Sequence, residues 1–292
     1  MKFLITGYRG QLGFDIQKEL TRRGYNDVLA LDRTDMDITD SEKVHEVICN
    51  YKPDVIFHCA AWTAVDKAED MSEECEKVNV IGTRNIVDAS IETGSKIIYM
   101  STDYVFDGTK EGVYTEEDEV HPMSVYGKTK YDGEVEVRRN PNHFITRISW
   151  VFGINGNNFI RTMLKLSDNH STLNVVDDQI GSPTYTVDLA KLLVDMAQSD
   201  KYGTYNATNE GYVSWADFAE YIFKINNKNV VVNHVSTEEY LEITGTKQAY
   251  RPRNSRLSKN KLEENGFDRL PTWEDATERY SEELIKSKIL RR

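Results

Sequence analysis

A chain of 292 residues with 36 Lys and Arg against 48 Asp and Glu carries a formal charge of −12, which argues against nucleic acid or an anionic membrane as a partner. With 39% hydrophobic residues it can bury a full core, as one large α/β unit with an appended lobe or as two modest domains. Its three cysteines, Cys49, Cys59 and Cys75, lack a Cys-x-x-Cys spacing and read as reduced thiols of a cytoplasmic protein, not as disulfides or a zinc site.

In chain order, Phe3–Thr6, Val28–Leu31, Val55–His58, 97–101 and 144–148 read as buried strands. Between them, 11–23, Ser41–Tyr51, a long stretch ending near Glu92 and 124–139 read as helices. This alternation predicts a Rossmann-like, doubly wound parallel sheet. Beyond Ser149 the pattern loosens: 157–167 helical, 173–176 extended, 187–197 helical, 202–207 a further strand, then helices near Trp215–Ile225, 237–241 and 272–286. The division expected is a dinucleotide-binding domain over 1–148, with 187–203 returning to it, and a substrate lobe over 149–186 and 204–292. The apolar run 3–5 is far too short for a signal peptide or a membrane span.

The first strand runs directly into Gly7-Tyr8-Arg9-Gly10-Gln11-Leu12-Gly13, and a helix follows. Gly7 suits a tight turn, Gly10 a close approach of backbone to pyrophosphate, and Gly13 close helix–strand packing. The helix amides would then face the phosphates. Asp32, ending the second strand, is placed for ribose hydroxyls and favours NAD. Its neighbour Arg33 suits a 2′-phosphate and favours NADP, so the two pull in opposite directions. The acids from Asp35 to Asp40 resemble a calcium loop, but Asp40 stands where such a loop needs glycine. Thr39-Asp40-Ser41-Glu42 reads better as a capping box, which leaves Asp37 and Ile38 beside the adenine. The small residues Ala60 and Ala61, followed by Trp62, let the backbone run close to a ligand.

Tyr126 and Lys130 are four apart and share one helix face. A phenol near pKa 10 is a poor acid–base group until an ammonium beside it favours the phenolate. Thr102, at the end of the fourth strand, offers a hydroxyl to a substrate carbonyl oxygen beside Tyr126. No His-x-x-x-His pair occurs among the six histidines, and no metal ligand is assigned. The acidic run 116–119 reads as a solvated loop.

The order and spacing of the glycine motif, residues 101–103 and Tyr126-x-x-x-Lys130 resemble the extended short-chain dehydrogenase/reductase family. More narrowly, 10–13, 64–69, 101–106, 149–151, 156–159 and 178–184 are similar to its dTDP-4-dehydrorhamnose reductases, over nearly the whole chain. The resemblance implies reduction of the C4 ketone of dTDP-4-dehydro-L-rhamnose to dTDP-L-rhamnose with NADPH or NADH. It implies Tyr126 as proton donor, Lys130 as its partner and ribose anchor, and Thr102 as the polarising hydroxyl. Val65, Asp103 and Trp150 would contact the substrate. Gly10, Gln11, Leu12, Asp32, Asp37, Ile38, Ala60, Ala61 and Trp62 would line the cofactor, and 251–255 resembles a late Arg-Pro segment of the substrate lobe. Some members dimerise through magnesium held by acids. Only Asp15 matches such an acid and the chain ends in Leu290-Arg291-Arg292, so a homodimer here is not expected to need magnesium. Two other readings remain: a non-catalytic regulatory subunit, and an epimerase or dehydratase on the same scaffold.

Overall fold

In a computed structural model, which describes residues 1–287 and 289, six strands build the central sheet. They are β1 (Phe3–Thr6), β2 (Val28–Leu31), β3 (Val55–His58), β4 (Lys96–Thr102), β5 (His143–Ile148) and β6 (Gly203–Asn206). Their order is β6-β5-β4-β3-β1-β2, and every pairing is parallel. Strands buried on both faces must be apolar along their whole length, which is why they read as continuous hydrophobic runs.

The helices that cover the sheet are α1 (Gln11–Arg22), α2 (Ser41–Tyr51), α3 (Thr83–Thr93), α4 (Val125–Val137) and α5 (Thr186–Ala197). The two-residue period of β1 sorts its side chains between them. Phe3 and Ile5 pack with Ile16 and Leu20 of α1 and with Leu189 and Leu193 of α5. Leu4 packs on the other face with Val44 and Ile48 of α2 and Ile86 and Val87 of α3. Val137 of α4 joins that second cluster. β1 is flanked by β2 and β3, so connections leave it in both directions and a crevice opens at its carboxyl end.

The long helix expected to end near Glu92 is four pieces: Val65–Asp70, Ser72–Glu76, a π-helical turn at Lys77–Gly82, and α3. The capping box expected at 39–42 does not form, and a simple N-cap one residue later takes its place. Asp40 is the N-cap, accepting from the Lys43 amide, because the Thr39 hydroxyl is already donated to Asp37. The acidic run is not simply solvated either: Glu116 accepts from the Asn206 amide at 2.8 Å and Asp118 holds Lys110 at 2.6 Å.

The lobe has its own core, including Phe152, Tyr185, Phe218, Ile222, Tyr280 and Leu284. Helices Phe159–Leu166, Trp215–Ile225 and Trp273–Lys286 surround it, with short strand pairs such as Thr172–Val176 beside Val231–Val235. The terminal residues 290–292 lie outside the described part. Among the described residues, no helix is long and apolar enough to cross a membrane, and Cys49, Cys59 and Cys75 are free.

Candidate active site

A cleft of about 800 Å³ lies along the carboxyl edge of the sheet, between it and the lobe. Gly7, Gly10, Gln11, Leu12 and Gly13 form its floor at one end, with Asp32, Arg33, Asp37 and Ile38 beyond them. Ala60, Ala61, Trp62 and Val65 line one wall; Thr102, Asp103, Tyr126, Lys130 and Trp150 gather at the other end. Every residue singled out in the sequence as a cofactor or substrate contact therefore opens onto one space.

The glycine turn is built for close approach. Gly7 has φ +67°, and a Cβ there would stand 2.9 Å from the backbone of Ala60. No side chain fits, so the ends of β1 and β3 can meet under a ligand. Gly10 is the N-cap of α1 and carries no capping side chain, which leaves the first-turn amides of that helix free for an anion. Gln11 does more than line the cleft: its amide oxygen accepts from the Gly153 backbone at 2.9 Å and from Asn158 at 3.0 Å. It thereby ties the glycine loop to the 153–158 turn of the lobe. At the far end, Arg9 lies 3.3 Å from Asp32 and Arg33 lies 3.4 Å from Asp37, so both signs of charge line the outer pocket.

Asn79 escaped the sequence reading. The π turn rotates it inward, where its amide exchanges hydrogen bonds with both backbone groups of Trp62 (2.8 and 3.3 Å) and reaches Thr129 of α4 at 3.1 Å. Extra-residue helical turns of this kind recur at functional sites because they re-aim one side chain. Here the turn couples the Trp62 wall to the helix carrying Tyr126.

Ser124 caps α4 by accepting from the Gly127 amide. Tyr126 then faces the cleft, its ring edge-on to Tyr104 at 5.5 Å. Desolvation pushes the Tyr126 phenol up, while a hydrogen bond with Thr102 pulls the other way. Lys130 is 3% exposed, and its Nζ stands 4.1 Å from the Tyr99 ring centroid. Burial brings its ammonium down to about 7, opposed first by Glu134. The shift of the phenol is set by desolvation, with Thr102 the group that opposes it. Its direction is upward, not the lowering by Lys130 expected from the sequence, so the phenol keeps its proton at neutral pH. Thr102 donates to Asp103 at 3.0 Å, and Asp103 also accepts from Ser255 at 2.5 Å. Burial raises Asp103 to about 6.

The cleft opens at Asp103, Tyr104 and Trp150 into a second cavity, also lined by Gln179, Trp215 and Arg251. Trp150 has φ +49°, rare for a bulky residue. Its ring stacks on Trp215 with centroids 3.6 Å apart. Trp215 comes from a distant segment and no local spacing marks it, whereas Arg251 belongs to the Arg-Pro segment expected in the substrate lobe. The magnesium question at Asp15 finds a carboxylate 2% exposed, bonded to the Thr186 hydroxyl at 2.5 Å.

Residues 1–286 match the RmlD substrate binding domain family. The chain is 43% identical to a dTDP-4-dehydrorhamnose reductase of Aggregatibacter actinomycetemcomitans, covering 90% of this chain and 92% of that one. A solved dTDP-4-dehydrorhamnose reductase from Clostridium acetobutylicum superposes with a TM-score of 0.93 at 42% identity, over 97% of this chain and 99% of that one. Another, from Bacillus anthracis and in complex with NADP, gives 0.92 at 41% identity, over 97% and 100%. With such matches running along nearly its whole length, the chain belongs to the dTDP-4-dehydrorhamnose reductase family, built on the RmlD substrate binding domain.

Proposed function

We propose that this protein reduces the C4 ketone of dTDP-4-dehydro-L-rhamnose to dTDP-L-rhamnose, and that Tyr126 supplies the proton. The observation that carries the reading is the meeting of Thr102, Tyr126 and Lys130 in the same cleft as the glycine turn. A dinucleotide fits there: the Gly7 turn, the uncapped start of α1 and the charged outer pocket match its phosphates and ribose. When bound, the nicotinamide supplies the hydride.

Gly10, Gln11 and Leu12 hold the pyrophosphate end, and Asp32, Arg33, Asp37 and Ile38 hold the adenosine. Ala60, Ala61 and Trp62 support the middle of the cofactor. Lys130 anchors ribose hydroxyls and, when charged, stabilises negative charge at the phenol. Thr102 turns its hydroxyl proton from Asp103 to the substrate C4 oxygen, and Tyr126, protonated because it is desolvated, passes its proton to the forming alkoxide. Val65, Asp103 and Trp150 position the sugar nucleotide. Both NADPH and NADH suit the outer pocket, since Asp32 and Arg33 serve opposite needs.

Residues 1–148, with the return through α5, form the cofactor side of this arrangement, and the remainder forms the substrate side. Three unpaired cysteines suit a cytoplasmic enzyme. The test is turnover of the keto sugar nucleotide by Tyr126→Phe. NADPH should bind as in the wild type, while kcat falls by about two to four orders of magnitude. Near-normal kcat would remove Tyr126 from the mechanism. No NADPH oxidation by the wild type would favour a regulatory subunit, and a tightly held NAD recycled without net consumption would favour an epimerase.

A further inference from the structure

Away from the cleft, α2 and α3 lie side by side and bring three metal-ligand side chains together. His45 and Cys49 are four apart on α2, hence one turn apart on the same face. Glu92, in the last turn of α3, reaches across to them. His45 Nε2 is 2.9 Å from Glu92 Oε2, and one ligand atom from each of the three residues lies within 4.8 Å of the other two. We propose that His45, Cys49 and Glu92 form a seat for a zinc-class divalent cation, with a solvent water as fourth ligand.

The donor set selects the ion. One imidazole, one thiolate and one carboxylate suit zinc, whose tetrahedral shell has ligand–ligand edges of about 3.2–3.6 Å. To take that size the 2.9 Å His45–Glu92 edge opens slightly and the edges to the half-buried Cys49, each within 4.8 Å, adjust by side-chain rotation. Magnesium and calcium need several oxygens, and this seat offers a single carboxylate. The imidazole and carboxylate are exposed, so the entry path is open, and Glu42 on the same hollow adds negative charge, while Glu46 there is paired with Lys43. An ion here clamps α2 to α3. Asn85 of α3 already holds the Ile38 carbonyl at 2.9 Å, so the clamp would stiffen the adenosine end of the cleft without entering it.

The test is titration of the chelator-treated full chain with Co²⁺. The expected result is one equivalent bound, with thiolate-to-cobalt charge transfer in the near ultraviolet and visible bands of a four-coordinate ion, both bleached by Zn²⁺. Cys49→Ser should lose the charge-transfer band, and His45→Ala and Glu92→Gln should each weaken Co²⁺ binding by about ten-fold or more. Excess Zn²⁺ should raise the melting midpoint of the wild type and not that of Cys49→Ser. Metal-free Cys49→Ser should turn over like the wild type, showing that it is folded. Absence of the band overturns the proposal, as does a band that persists in Cys49→Ser, which would put the metal on Cys59 or Cys75. Unchanged affinity in both His45→Ala and Glu92→Gln also overturns it, leaving an ordinary surface ion pair.

Discussion

Asp103 shows how the site loads a cost onto single residues. Its carboxylate is 3% exposed and has only hydroxyl and amide partners, so burial lifts it from an ordinary 3.8 to about 6. Between those values the folded state holds a proton that the unfolded state has released, so stability falls as pH rises from about 4 to 6. At about 1.4 kcal/mol per unit the loss is on the order of 3 kcal/mol. Asp103→Asn carries no charge and should escape it: urea denaturation should show the variant gaining on the wild type across that window and staying ahead at neutral pH. A stability difference that does not change with pH would contradict the buried-charge argument. Lys130 works in the opposite sense. Because burial lowers it to about 7, the empty cleft loses this ammonium as pH rises past neutrality. Binding an anionic dinucleotide must then recover the proton, so the NADPH Kd should rise by up to about ten-fold per pH unit above 7. In Lys130→Met that slope should vanish in a fluorescence titration.

Elements deliver these residues through very close contacts, and α4 has the tightest against a backbone atom. A Cβ at Gly127 would stand 2.2 Å from the carbonyl oxygen of Tyr104, a backbone atom that cannot rotate away. Gly127→Ala must therefore push α4 off the end of β4 and carry Tyr126 away from Thr102. Overpacking of this kind costs about 1–3 kcal/mol, and an ångström of misplacement can cost about a hundred-fold in kcat. A crystal structure and steady-state kinetics of the variant check both, and unchanged kcat would show that the contact is slack. The same elements explain what the sequence discloses. Apolar runs such as Phe3–Thr6 and Val55–His58 are legible because burial on two faces forces them, and Gly7–Gly13 and Tyr126–Lys130 are legible because each operates within one turn or one helix. Asn79 is not, because an α-helical reading through Lys77–Gly82 hides the π turn that re-aims it. Trp215 and the His45–Cys49–Glu92 group are hidden for another reason: their partners come from distant parts of the chain, and only the packed fold brings them together. Arg251 is marked by its Arg-Pro segment, but its pairing with Asp66 and Tyr104 comes only from the fold.

At the scale of the molecule, the cleft works as the seam between the sheet and the lobe, and residues 249–253 strap one to the other. The Arg251 guanidinium reaches both oxygens of Asp66 (2.8 and 3.0 Å) and the Tyr104 hydroxyl at 3.2 Å. The Ala249 amide bonds Asp66 as well, and the Tyr250 hydroxyl bonds the Asp107 carbonyl at 2.8 Å. Arg251 and Asp66 are 26% and 47% exposed, so solvent screening holds their pairing to about 1 kcal/mol or less of fold stability. What the pair fixes is geometry: it sets where the strap, and with it Pro252 and Ser255, borders the cavity beside Asp103. Arg251→Ala should therefore leave the melting midpoint within a few degrees of the wild type and raise the KM for the sugar nucleotide by about ten-fold, equivalent to about 1.4 kcal/mol. The KM for NADPH, which depends on the opposite end of the cleft, should not move. Asp66→Asn should reproduce the pattern more weakly, because the Ala249 amide keeps an acceptor. If the two residues act as one tie, the double variant should be no worse than Arg251→Ala alone, since the second substitution removes a partner already lost. Additive losses would show instead that Arg251 acts on the substrate independently of Asp66, and a rise in both KM values would show that the strap shapes the whole cleft.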